Sequence, residues 1–170
     1  MSRFEQVKEA AGVPLRTLVE AAKALGHPAR LRILAMLEGR TLCVCQMTAI
    51  LELAPSTVSG HLNELRRSGL VVEDRQGKLV YYRLDSGSPL LGLVRSALAL
   101  ARGDERVRAD AALVDRVRAV PVPALTRAGL RLDRLGITSV PIRPIRRSRA
   151  AGSGGGPVAA GRSRRSAGGS

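Results

Sequence analysis

Residues 41–71 read TLCVCQMTAILELAPSTVSGHLNELRRSGLV, and how this stretch folds decides the rest. Pro55 suits the first turn of a helix, and from there Val58, Leu62 and Leu65 recur at helical spacing until Gly69 marks the end. Upstream, Val44, Met47, Ile50 and Leu51 place one apolar face on a helix expected over Thr41 to Leu53. The connection at residues 52–54 leaves room only for a tight turn. Two helices so joined, the second with a polar outer face, form a helix-turn-helix.

Working outward toward the N-terminus, Leu31, Ile33, Leu34 and Leu37 give a helix that Pro28 starts and Gly39 stops. Before it, Leu15, Leu18, Val19, Ala22 and Leu25 follow the i, i+3, i+4 rule and Gly26 ends the run, while residues 4–11 can form a further short helix. Toward the C-terminus, the β-rich runs Leu70 to Glu73 and Leu79 to Leu84 flank Asp74, Arg75, Gln76, Gly77 and Lys78, which reads as a hairpin with a basic tip. Leu90, Leu91, Val94, Ala97, Leu98 and Ala101 then make a helix too apolar for a small domain to bury alone, so it is read as a dimerisation helix. Asp104 can cap a continuation carrying Val107, Ala111, Val114 and Val117.

Pro121 and Pro123 are expected to close the ordered part. The remaining residues are rich in Pro, Gly, Ser and Arg and cannot bury enough apolar surface to offset their ordering entropy, although residues 124–140 can form a transient helix. The expected organisation is therefore a domain over residues 1–118 and a disordered basic tail over residues 119–170. With aromatics at 2% of 170 residues, the core must be built from Leu, Val, Ile and Ala. The expected class is mainly α with a small β-hairpin, a winged helix-turn-helix.

The net charge of +14 calls for an anionic partner, and nucleic acid is the default. Residues 1–118 hold 18 basic and 13 acidic side chains and residues 119–170 hold 10 and 1, so most of the excess lies in the tail. Total charge alone is thus no argument for DNA binding. The argument rests on the fourth helix, where Ser56, Thr57, Ser59, His61 and Asn63 fall mainly away from the Val58, Leu62, Leu65 face. Short hydroxyls there can approach base edges, Asn63 can pair with an adenine edge, and Arg66 and Arg67 can hold phosphates. Arg75 and Lys78 at the hairpin tip would reach the backbone beside them. Each of these also has a plainer reading as a solvated charge, and His61 serves equally well as a packing residue.

No run of 18 apolar residues suggests a membrane span, and the acidic, amphipathic start does not look like a signal peptide, so a cytoplasmic location without membrane contact is expected. Cys43 and Cys45 are the only cysteines, too few for a disulfide framework, and a reducing compartment would keep them as thiols. On a regular helix positions i and i+2 lie about 200° apart, so both sulfurs can meet one ion only if the helix begins late or unwinds there. As thiolates near a helix N-terminus they would suit a soft acceptor, and buried small hydrophobes are the alternative.

The segments KALGHPARLRIL (residues 23–34), LCVCQM (42–47), LAPSTVSGHLNELRRSGLV (53–71) and GKLVYYRL (77–84) together resemble the ArsR/SmtB group of bacterial metal-sensing regulators over residues 15–103. The resemblance implies a homodimeric repressor that binds palindromic double-stranded operator DNA and releases it on binding a toxic metal ion or metalloid. Cys43 and Cys45 resemble the arsenite and antimonite site of the arsenic-sensing members, with those inducers as ligands and no constitutive cofactor. Where such sites commonly carry a third cysteine this chain has Thr48, and where the reading helix often carries a longer side chain it has Gly60. The zinc-type ligands on the last helix are absent, the only histidines being His27, read as structural, and His61. No enzyme is implied. A redox sensor closing a Cys43–Cys45 disulfide and a nucleic-acid-compacting protein driven by the basic tail remain as alternatives.

Overall fold

The computed structural model describes residues 12–138. The helix expected over residues 4–11 and most of the tail lie outside the described residues. In chain order the elements are α1 (Leu15–Leu25), α2 (Pro28–Leu37), β1 (Leu42–Cys43), α3 (Val44–Leu51), α4 (Pro55–Arg67), β2 (Val71–Gln76), β3 (Leu79–Leu84), α5 (Leu91–Ala101), α6 (Glu105–Arg118) and α7 (Val122–Arg127), followed by a 3-10 turn at Asp133–Leu135. The sheet is antiparallel in the order β1-β3-β2. It is a mainly helical domain in which α3 and α4 form the helix-turn-helix and β2–β3 the wing.

The ends of the helices follow from local chemistry. Pro28 opens α2 while His27 Nδ1 accepts the Ala29 N–H at 3.1 Å, and Asp104 Oδ1 accepts the N–H groups of Arg106 and Val107 to start α6. After α4, Gly69 takes a φ of 69° and lets the Leu70 N–H reach back to the Leu65 carbonyl. Val58, Leu62 and Leu65 are fully buried as their spacing predicts, joining Ile33, Leu34, Leu37, Met47, Val94 and Leu98 in one core. Each such side chain contributes about 1.5–3 kcal/mol.

Several expectations need correction. The third helix does not begin at Thr41: Leu42 and Cys43 are extended and pair with Tyr82 and Tyr81 of β3, so helix starts only at Val44 and stops at Leu51. A two-residue strand has no periodicity of its own; it exists because β3 offers a free edge. The hairpin is longer than expected, since Asp74, Arg75 and Gln76 pair with Tyr81, Val80 and Leu79, leaving only Gly77 and Lys78 as the turn. Gly77, at φ 62°, takes the first position of a two-residue loop whose backbone suits the strand twist. In α1 the leucine stripe faces outward, with Leu15 75% exposed, and it is Ala21 and Ala24 that enter the core.

The ordered part also does not end at residue 118. Pro121 and Val122 begin α7, Leu125 is fully buried, and Leu132 and Ile137 follow it onto the core. The prolines here set a helix start instead of ending order, and α7 packs against α3. Further back, α6 packs on α2 and α3 and is tied to α2 by a bidentate ion pair: Arg32 Nε and Nη2 donate to Asp110 Oδ2 and Oδ1 at 2.6 and 2.8 Å. Their side chains are only 17% and 3% exposed. Burial pushes the Asp110 carboxyl above its ordinary range more strongly than the guanidinium pulls it down.

Candidate nucleic-acid interface and thiol pair

The polar face of α4 lies open. Ser56, Thr57, Asn63, Arg66 and Arg67 are exposed and Ser59 is half-buried, all on a helix held by its Val58, Leu62, Leu65 face. At the wing, Arg75 on β2 and Lys78 in the turn are exposed as well. β2 follows α4 after a three-residue turn and packs against it, which joins the wing to the end of α4.

Three of the expected contacts are modified by neighbours. Arg66 Nε lies 3.7 Å from Glu73 Oε2 on β2, and the same carboxylate oxygen accepts from the Tyr82 hydroxyl at 3.2 Å. Glu73 thereby joins the end of α4 to the wing, a linkage that no spacing in the sequence announces. Burial pushes the Tyr82 hydroxyl pKa up, and Glu73 adds to the effect. Arg67 lies 3.8 Å from Glu64 one turn back. His61 is half-buried with its ring centroid 4.5 Å from that of His27, tilted by 45°, which favours packing between α2 and α4 over base contact. Burial, then His27 and Arg30, hold the His61 pKa below its ordinary value. Gly60 is exposed, and a Cβ there would meet nothing within 4 Å.

The thiols sit one helix away, at the junction of β1 and α3. Cys43 is buried, with extended φ and ψ of −87° and 165°, whereas Cys45 is half-buried in the first helical turn. The late start of α3 meets the geometric requirement stated above, because the two side chains are not on one regular helix. Cys43 and Gln46 form a capping box: the Cys43 side chain accepts the Gln46 N–H, and Gln46 Oε1 accepts the Cys43 N–H at 3.0 Å. Burial raises the Cys43 pKa, opposed by the Gln46 N–H and reinforced by the neighbouring Cys45. Thr48 follows Cys45 by one turn on the same face; it is 4% exposed, and its Oγ1 has no hydrogen-bond partner among the described residues. Those residues contain no cluster of three or more His, Cys, Asp or Glu able to hold a metal ion.

A winged helix-turn-helix whose α4 keeps an open polar face defines the class by its fold. Residues 27–72 match the family described as "Bacterial regulatory protein, arsR family". The chain is 44% identical over 61 residues to the arsenic resistance transcriptional regulator ArsR1 of Pseudomonas putida, covering 36% of this chain and 47% of that one. It is 41% identical over 61 residues to the cadmium resistance regulator CadC of Listeria innocua, covering 35% and 51%. With the putative arsenical resistance operon repressor ArsR of Halobacterium salinarum it shares 33% over 86 residues, 49% of this chain and 67% of the other. The chain belongs to the ArsR family. It spans about half the length of the first two of these relatives.

Proposed function

We infer that the protein is a transcriptional repressor that binds operator DNA as a homodimer through α4 and the wing, and that arsenite or antimonite at Cys43 and Cys45 releases it. The observation that carries this reading is the break from extended to helical backbone between Cys43 and Val44, which frees both thiols from one regular helix. A second support is the relatives named for arsenic resistance.

In this reading the dimer buries the apolar residues that the monomer leaves open. Leu100 of α5 is 88% exposed, with Leu93 on the same helix and Leu15, Leu18 and Val19 on α1 also uncovered. A two-fold axis there would place two α4 helices on successive major grooves. Ligand binding has to favour the DNA-free arrangement, since a ligand with equal affinity for both states shifts nothing. Movement of the first turn of α3 reaches α4 through the turn at residues 52–54. A coupling of about 1–3 kcal/mol corresponds to roughly a 5- to 150-fold change in operator affinity.

The experiment is operator binding with and without arsenite for the parent, Cys43→Ser and Cys45→Ser, on DNA selected by the protein itself from genomic fragments. Release of the parent alone is expected. Equal response of all three proteins removes the thiol assignment, and release by peroxide but not by arsenite selects the redox reading of the same pair.

A further inference from the structure

Between the helix-turn-helix and the C-terminal segment lies a cleft of about 750 Å³ that neither the thiols nor the reading face uses. One wall is the end of α3 and the turn, with Thr48, Glu52, Leu53 and Pro55. The other is the segment after α7, with Leu130 and Ile137 apolar and Arg131 and Asp133 charged. The volume lies inside the range of about 300–1,000 Å³ in which small-molecule sites fall.

We propose that this cleft binds a small organic cation with an apolar body. Arg131 already has its charge answered, because its Nε and Nη2 donate to the two Asp133 oxygens at 3.1 and 2.9 Å. That leaves the Glu52 carboxylate as the lining charge without an ion-pair partner among the described residues. Thr48, also in the lining and 4% exposed, carries a hydroxyl with no hydrogen-bond partner among the described residues, a polar group whose burial costs free energy until something pairs with it. A cationic N–H donor can meet Glu52, while the body packs on Leu53, Leu130 and Ile137.

The backbone around the cleft is unusual. Glu52 at φ 55° and Leu130 at φ 61° are the only non-glycine residues with positive φ among the described residues, and both line it. Left-handed backbone at a branched, bulky side chain costs about 1 kcal/mol or more and persists where surroundings impose it, often at ligand sites. Leu130 is fixed by its N–H to the Leu125 carbonyl at 3.0 Å. Pro55 opens α4, so an occupant touches the start of the reading helix as well as the turn. The site would therefore act as an input distinct from the thiols.

Occupancy can be tested without DNA, so its failure and failure of the operator reading are separable. The full chain, labelled at Leu, Ile and Thr methyls, is titrated in NMR with benzylammonium, benzyl alcohol and benzoate. Expected are saturable shifts at Leu53, Leu130 and Ile137 with benzylammonium at about 1 mM or below, and binding about tenfold or more weaker for the neutral and anionic probes, which lack the charge-assisted bond. Glu52→Gln should bring benzylammonium down to the level of benzyl alcohol. If that change disturbs the fold, seen as lost methyl dispersion, Asp133→Asn replaces it, since it frees the Arg131 charge inside the cleft and should weaken the cation likewise. Shifts centred elsewhere, no saturation, benzoate binding as well as the cation, or full binding by whichever folded variant is used overturns the proposal.

Discussion

Cys43 and Cys45 are two residues apart yet live in different environments: Cys43 is buried in extended backbone opposite Tyr81, and Cys45 is half-exposed in the first turn of α3. Alkylation should therefore be sequential. Iodoacetamide at neutral pH is expected to label Cys45 first and Cys43 slowly, because burial both blocks access and holds the Cys43 proton on. The Cys43 rate should climb with pH beyond the ordinary thiol range and match that of Cys45 in denaturant. Mass spectrometry of the labelled peptide checks this, and equal native rates at both positions would contradict the buried geometry.

The Arg32–Asp110 pair fastens α6 to α2. Removing one partner leaves an uncompensated charge in a nearly closed site, so Asp110→Ala should cost about 3–5 kcal/mol in urea unfolding. Replacing both together, Arg32→Met with Asp110→Leu, should cost far less or nothing. A loss below about 1 kcal/mol for the single change would mean that the pair is not buried as described.

His61 packs on His27, and its pKa lies below the ordinary 6.5 because burial, His27 and Arg30 all oppose its charge. A lowered folded pKa means that the unfolded chain takes up the proton first as pH falls. The stability contributed by neutral His61 is then present above pH 6.5 and is lost as pH drops through the depressed folded value. Unfolding midpoints should fall from about pH 7.5 toward about pH 5, and His61→Leu should flatten part of that slope. An unchanged slope in the variant would assign the effect to other groups.

At the reading face, Lys78→Ala and Arg75→Ala should each weaken DNA binding across sequences and reduce the salt slope by about 1, as phosphate contacts do. Asn63→Ala should instead cost about 1–3 kcal/mol and relax one base position. Gly60→Ala meets open space and should raise helix stability by about 1 kcal/mol. Mobility shifts over a salt series separate these outcomes; a uniform loss for Asn63→Ala would place it on the backbone.

Residues 119–138 distinguish two pictures directly. Leu125 is fully buried, so Leu125→Ala should cost about 2–5 kcal/mol in thermal or urea unfolding. A loose tail would register nothing.

Much of this architecture is legible in spacing. Val58, Leu62 and Leu65 place α4 and turn Ser56, Thr57 and Asn63 outward, because a 3.6-residue period with one buried face leaves a single consistent orientation. Pro28, Gly39, Pro55 and Gly69 mark element ends through backbone constraints that act locally. The hairpin is legible in existence but not in length, since Asp74, Arg75 and Gln76 are poor strand formers recruited by β3.

What the chain by itself determined is thus α1, α2 and α4 to α6, the helix-turn-helix and the wing. Tertiary structure alone decided the rest. Leu42 and Cys43 became a strand only because β3 lay beside them, and that pairing delays α3 and separates the two thiols from a common helix. Asp110 meets Arg32 across 78 positions of sequence, and Leu125, Leu132 and Ile137 join a core built by distant segments. Local periodicity reports a segment's own preference; pairing edges, buried charges and clefts depend on which distant segments arrive beside it, and so they are read only from the folded chain.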